Sequence, residues 1–182
     1  MDASRPQPPL AVVIMGVSGS GKSTVAARLA ERLGCEMIEG DSLHPAANVE
    51  KMRSGIPLDD ADRAPWLDRI ADQLAAWQAA CRSGVMTCSA LKRAYRARLT
   101  AARPDVRFVY LRGSEALIAS RVRARRHEYM PASLLRSQFE TLEEPASGEP
   151  AITIDAALSP EAEVQAILAA LGRADPAAPP QG

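Results

Sequence analysis

The chain has 182 residues, 47% of them hydrophobic, and carries 22 basic against 22 acidic side chains for a formal net charge of zero. That is one domain's length, enough to bury about 70% of the unfolded surface, and the balanced charge excludes the domain-wide basic excess of a dedicated nucleic-acid binder. The three cysteines (Cys35, Cys81 and Cys88) form no C-x-x-C pair, which argues against a disulfide framework or a zinc site and for a reducing cytosol.

Both ends are Pro-rich and low in large apolar residues, so 1–9 and 173–182 read as disordered tails around one domain spanning 10–172. The opening MDASRPQPP has no signal-peptide core, and no apolar run approaches the roughly 20 residues of a membrane span. LAVVIM (10–15) is a continuous apolar run ending at Gly16, the pattern of a strand buried on both faces. KSTVAARLAERLG (22–34) puts Val25, Leu29 and Leu33 on one helix face and stops on Gly34. CEMIEGD (35–41) reads as a second strand. APWLDRIADQLAAWQAA (64–80) reads as a helix with Leu67, Ile70, Leu74 and Trp77 on one face and Pro65 near its start. GVMTCSA (84–90) and VRFVYL (106–111) are strands three and four. SEALIASRVRARR (114–126) is a helix opened by Ser114, and PASLLRSQFETLEEP (131–145) another, bounded by Pro131 and Pro145. AITID (151–155) is a fifth strand, followed by the helix SPEAEVQAILAALG (159–172) with Ser159 as cap and Pro160 at its first position. Such alternation predicts an α/β domain with one parallel sheet covered on both faces.

GVSGSGKS (16–23) matches G-x-x-x-x-G-K-[ST], and it follows a predicted strand and opens a predicted helix, the context that makes the motif specific. Gly16, Gly19 and Gly21 let backbone N–H groups of the loop, with Ser18 and Ser20, curl around an anion, and the helix starting with Ser23 and Thr24 adds its positive end. Lys22 then reaches the β- and γ-phosphates, and the Ser23 hydroxyl ligates Mg²⁺. This is a nucleoside triphosphate site.

Strands three and four end without an acid; the carboxylate lies at Asp41, closing the second strand. Ligands of open α/β sheets bind beyond the carboxyl ends of the strands, so Asp41 projects toward the phosphate loop. There it can take or orient the proton of an acceptor hydroxyl and hold a metal-bound water. The following stretch gathers His44, Asn48, Lys51, Arg53, Asp59, Asp60, Asp62 and Arg63 between Pro, Gly and Trp punctuation. That composition fits a fixed polar pocket for a small anionic, hydroxyl-rich substrate.

MGVSGSGKST, GDSLHPAANVEKMRSGIPLDDADRAPWL, CSALKRAYR and SQFETLEEP resemble the signatures of thermoresistant-type gluconokinases, P-loop kinases allied to shikimate and nucleoside monophosphate kinases. The resemblance runs from Ala11 to Leu171, and the second block is its most specific part. It implies a three-layer α/β/α P-loop kinase fold with a five-stranded parallel sheet, and transfer of the ATP γ-phosphoryl group to the 6-hydroxyl of D-gluconate. It also implies Mg²⁺ dependence, a cytoplasmic enzyme and a homodimer. Under that reading Asp41 is the base or hydroxyl orienter and His44 a polyol contact. Lys51 and Arg63 are candidate partners of the substrate carboxylate, Arg through its bidentate fork, with Arg53 the weakest candidate. Ser89 and Lys92 emerge after strand three at the same edge. Cys88, Trp66, Trp77, Met52 and Phe139 read as packing residues.

RVRARRHEYMP (121–131) falls where kinases of this shape carry a mobile, Arg-rich lid, here about 122–133. Arg121 and Arg125, four apart, share a helix face and are the candidates for adenine stacking and phosphate contact. The family's lid reads Gly-His before its aromatic-Met pair, whereas this chain has His127-Glu128 there. The alternatives are a P-loop kinase for another hydroxy acid such as shikimate, or a nucleotide-dependent nucleic-acid-binding module. Against the first, shikimate-type relatives carry acid-x-acid after strand two, where this chain reads DSLH; against the second stand the neutral charge and the absence of aromatics among residues 121–126.

Overall fold

The computed structural model describes residues 8–101, 103–124 and 132–174. Strands β1 (Ala11–Met15), β2 (Glu36–Glu39), β3 (Gly84–Thr87), β4 (Val106–Arg112) and β5 (Ala151–Asp155) form one sheet in the order β2-β3-β1-β4-β5. Every pairing is parallel. Helices α1 (Lys22–Leu33), α2 (Ala46–Arg53), α3 (Asp60–Ala79), α4 (Arg93–Thr100), α5 (Glu115–Ala124), α6 (Ala132–Thr141) and α7 (Pro160–Ala170) connect and cover it. None of the described helices is long and apolar enough to cross a membrane.

The uninterrupted apolar run of β1 has a simple cause: both of its faces are covered. Ala11, Val13 and Met15 pack with Trp66, Ile70, Leu74 and Trp77 of α3 and with Leu99 of α4. Val12 and Ile14 pack on the other side with Val25 and Leu29 of α1 and Val164 and Ile167 of α7. The predicted apolar stripe of α3 is therefore buried as read. The register aligns Ile14 with Thr87 and Glu39 with Thr87, so β1, β2 and β3 deliver their following loops to one edge. Because β1 lies between β3 and β4, connections diverge to either side of it, which opens the crevice where such sheets bind ligands.

Two helices escaped the sequence reading. α2 has no apolar stripe, its buried side chain being Asn48, and α4 (RAYRARLT) buries a charged Arg96 beside Tyr95 and Leu99. α3 also begins earlier than the expected Ala64. Asp59 accepts the Asp62 N–H at 2.7 Å while the Asp62 carboxylate accepts the Asp59 N–H at 3.1 Å, a capping box that starts the helix ahead of Pro65. α6 stops at Thr141, short of the expected Pro145, because Glu143 leaves the helix to donate its N–H to the Leu91 carbonyl at 2.8 Å.

Arg96, 1% exposed, ties the loops around the site together. It pairs with Glu149 through Nε at 2.6 Å and Nη2 at 2.9 Å, and its Nη1 donates to the carbonyls of Ala90, Leu91 and Glu143. The guanidinium holds the Glu149 carboxyl below the usual carboxylate range. A depressed folded pKa means that this stabilisation is present at neutral pH and is lost as pH falls from the ordinary value toward the lowered one. Glu149→Gln leaves a buried, unpaired guanidinium, so about 3 kcal/mol of stability should disappear at pH 7, read as a lower urea midpoint. The loss should shrink in the acid range, where the native carboxyl is itself protonated.

Candidate active site

The phosphate loop bridges β1 and α1. Gly16, Gly19 and Gly21 have φ of 145°, 84° and 101°, backbone that disfavours any side chain. At Gly19 a Cβ would also come within 2.6 Å of Val122 on α5. α1 has no side-chain cap, so its first N–H groups are left for an anion. Lys22 Nζ reaches across the loop to the carbonyls of Gly16 at 3.1 Å and Val17 at 2.9 Å, while Ser23 and Thr24 are exposed beside it. The Ser20 side chain is buried under the loop. Arg121 of α5 donates to the Ser20 carbonyl at 3.4 Å and to the Ala156 carbonyl at 2.6 Å, which places a guanidinium against the loop. Arg125, with Arg126, His127 and Glu128, lies outside the described residues.

Asp41 sits in the short 3-10 turn Gly40–Leu43 that follows β2. That turn is tightly located: Gly40 N–H donates to Thr87 Oγ1 at 3.1 Å and the Trp66 indole donates to the Gly40 carbonyl at 2.8 Å. A Cβ at residue 40 would lie 2.0 Å from the Thr87 carbonyl oxygen, so the close approach requires glycine. Trp66, expected to pack only, thus also holds the loop that carries the acid.

Trp66 further stacks on the His44 ring, with centroids 4.3 Å apart and planes 11° from parallel. The Asn48 amide nitrogen lies 3.3 Å from His44 Nδ1 and donates to the Asp62 carbonyl at 2.7 Å. An amide nitrogen only donates, so Nδ1 accepts and the proton belongs on Nε2. Burial lowers the His44 pKa, with Arg63 acting in the same direction and Asp41 opposing it. The result is a neutral imidazole with an Nε2–H donor, suited to a hydroxyl.

Asp41 and His44 line a cleft of about 1180 Å³ together with Lys22, Arg63, Ser89 and Lys92. Lys51 is placed elsewhere: its ammonium lies 2.6 and 2.8 Å from the Asp62 carboxylate, and it is not part of the cleft wall. The capping box turns Asp62 toward α2 and so draws Lys51 away. Arg53 and Met52, read from the sequence as a weak candidate and a packing residue, do line the cleft. Arg63 donates through Nε to the Leu58 carbonyl at 3.3 Å and its guanidinium carbon is 6.0 Å from the Tyr95 ring centre. Lys92 pairs with Asp60 at 2.7 Å and lies 5.6 Å over the same ring, while the Tyr95 hydroxyl donates to Asp60. Cys88 is buried and its thiol is pushed up to about 12 by desolvation, so it stays protonated and un-nucleophilic.

Tyr95 and Gln138 also line the cleft, and neither was singled out from the sequence. Tyr95 sits at i+3 from Lys92, a spacing that would have flagged it once α4 was recognised as a helix. Gln138 lies inside the SQFETLEEP block that carries the resemblance, but nothing local in that block tells which of its residues faces the cleft.

A phosphate loop opening on the switch point of a parallel sheet, with a carboxylate and basic groups across one cleft, defines a P-loop kinase. A family model described as an AAA domain matches residues 12–146. The chain is 48% identical over 160 residues to a gluconokinase of Gluconobacter oxydans, covering 88% of this chain and 90% of that one. It is 46% identical over 137 residues to the thermoresistant gluconokinase of Escherichia coli, covering 75% and 78%. The crystal structure of a gluconokinase from Sinorhizobium meliloti superposes with a TM-score of 0.84 at 45% identity, covering 92% of this chain and 94% of that one. The chain belongs to the gluconokinase family.

Proposed function

We propose that the protein transfers the γ-phosphoryl group of ATP to the 6-hydroxyl of D-gluconate, giving 6-phospho-D-gluconate and ADP. The observation that carries this reading is the single cleft onto which the phosphate loop, Asp41 and the basic pair Arg63 and Lys92 all open. Phosphoryl transfer asks for alignment and charge neutralisation rather than covalent chemistry. Gly16, Ser18, Gly19, Ser20, Gly21, Ser23 and Thr24 form the phosphate cradle, and Lys22 and Arg121 neutralise its occupant. Arg125, which lies outside the described residues, joins them in this reading through its spacing of four from Arg121 in the sequence. Asp41 orients the acceptor hydroxyl and receives its proton, His44 and Ser89 bond hydroxyls along the chain, and Arg63 with Lys92 holds the carboxylate. Lys51 enters this reading only through Asp62, fixing the start of α3 beneath Arg63.

The donors present suit Mg²⁺: an exposed Ser23 hydroxyl at the start of α1 and an exposed Asp41 across the cleft are the sparse oxygen ligands this ion takes beside phosphates. When bound it would neutralise charge on the β- and γ-phosphates. A homodimer follows from the family resemblance, and a cytoplasmic location from the cysteine usage.

A panel of acceptors with ATP and coupled ADP detection tests the reading. Gluconate should turn over; turnover of shikimate, another hydroxy acid or a nucleotide in its place would overturn it. Arg63→Ala should raise the gluconate KM by about 10- to 100-fold, the value of a charge-assisted hydrogen bond, with little change in the KM for ATP. An unchanged gluconate KM would move the carboxylate to other cations.

A further inference from the structure

One side chain of α6 bonds directly to the phosphate loop. Gln138 Oε1 accepts the Ser18 backbone N–H at 2.7 Å. A backbone N–H can only donate, so the carboxamide is oriented without ambiguity: its oxygen is at Ser18 and its NH₂ group is on the opposite branch. No described residue accepts from that NH₂. Gln138 and Ser18 line the cleft together with Lys22 and Asp41, the groups between which a phosphoryl group has to pass.

The backbone beneath Gln138 is well anchored. Leu135 is buried with Val17, Leu91 and Ile118, and Phe139 and Leu142 pack against them. Just beyond the helix, Glu143 N–H donates to the Leu91 carbonyl at 2.8 Å and the Glu143 carboxylate accepts the Arg93 N–H at 2.7 Å. Gln138 is therefore fixed against both the phosphate loop and the loop after β3 that carries Ser89. A neutral donor held this way stabilises developing charge with no reorganisation at the moment of reaction.

We infer that Gln138 is a further catalytic residue, whose NH₂ group donates a hydrogen bond to the phosphoryl group during its transfer. This rests on the reading of the cleft as a phosphoryl-transfer site. The bond to Ser18 aims the carboxamide; the free NH₂ does the chemistry.

Two substitutions separate donation from the structural tie. Gln138→Glu keeps an oxygen for the Ser18 N–H but removes the donor, and Gln138→Leu removes both. Each should lower kcat by about 10²-fold or more, the typical cost of one transition-state donor, with the melting temperature near wild type and, for the uncharged Gln138→Leu, the KM for ATP near wild type as well. A Gln138→Glu protein with wild-type kcat would reduce Gln138 to a tie on Ser18 and overturn the inference. Calorimetry with Mg-ADP, alone and with aluminium fluoride as the phosphoryl mimic, makes the test independent of the acceptor. Gln138→Leu should bind Mg-ADP as wild type does and the aluminium fluoride complex about 10²-fold more weakly, whereas Gln138→Glu, whose added charge repels the phosphates, should weaken both and the fluoride complex more. Equal affinity of wild type and variants for that complex would overturn the role of Gln138 whatever the acceptor panel shows, and failure of gluconate alone would overturn only the proposed acceptor.

Discussion

Lys22→Ala should lower kcat by about 10³-fold while leaving the protein folded. The ammonium stands at the first residue of α1 and bonds the carbonyls of Gly16 and Val17, so it already lies over the loop that receives the phosphates. Those carbonyl bonds are replaceable by water in a half-exposed site, which keeps the stability change small. The charge that the proposed reading sets against the β- and γ-phosphates is not replaceable in that way. Removing one such electrostatic partner typically costs about 10²–10³-fold, and Arg121, held by the Ser20 and Ala156 carbonyls, adds its own charge at the loop without substituting for that of Lys22. Steady-state turnover at saturating ATP and acceptor, together with a melting curve, checks this. A variant retaining wild-type kcat would show that charge on the transferred group is neutralised by other cations.

Asp41→Asn should lower kcat by about 10²–10⁴-fold, the range for loss of a general base, with the KM for ATP close to wild type. The split follows from position. Asp41 lies in the turn after β2, a strand separated from β1 by β3, and that turn is held by Gly40, Thr87 and Trp66 rather than by the Asp41 carboxylate. An isosteric amide should therefore leave the loop where it is and remove only the proposed proton acceptor. Comparable losses in kcat and in ATP affinity would instead make Asp41 part of the nucleotide site.

The phosphate loop was legible from the sequence because its demands are local: three glycines with positive φ, a lysine and a serine at fixed spacing before a helix. Asp41 was legible for a related reason, since a strand end in a parallel sheet has a predictable edge. The substrate wall was less so. Lys51 and Arg63 looked equivalent as basic residues in one polar stretch, yet Lys51 pairs with Asp62 of the capping box and does not line the cleft, whereas Arg63 does. Met52 and Trp66 looked like core; one lines the cleft, and the other supports His44 and Gly40.

The sequence by itself determined the fold class, the strand and helix succession outside the polar stretches, the anion loop and the acid that faces it. Each depends on apolar periodicity, caps or backbone dihedrals within a few residues. Only the tertiary structure decided which cations meet in the cleft, that Arg96 locks Glu149, and that Gln138 reaches Ser18. Those partners are far apart along the chain, and they meet because the sheet order and the packing of α4 and α6 bring them together.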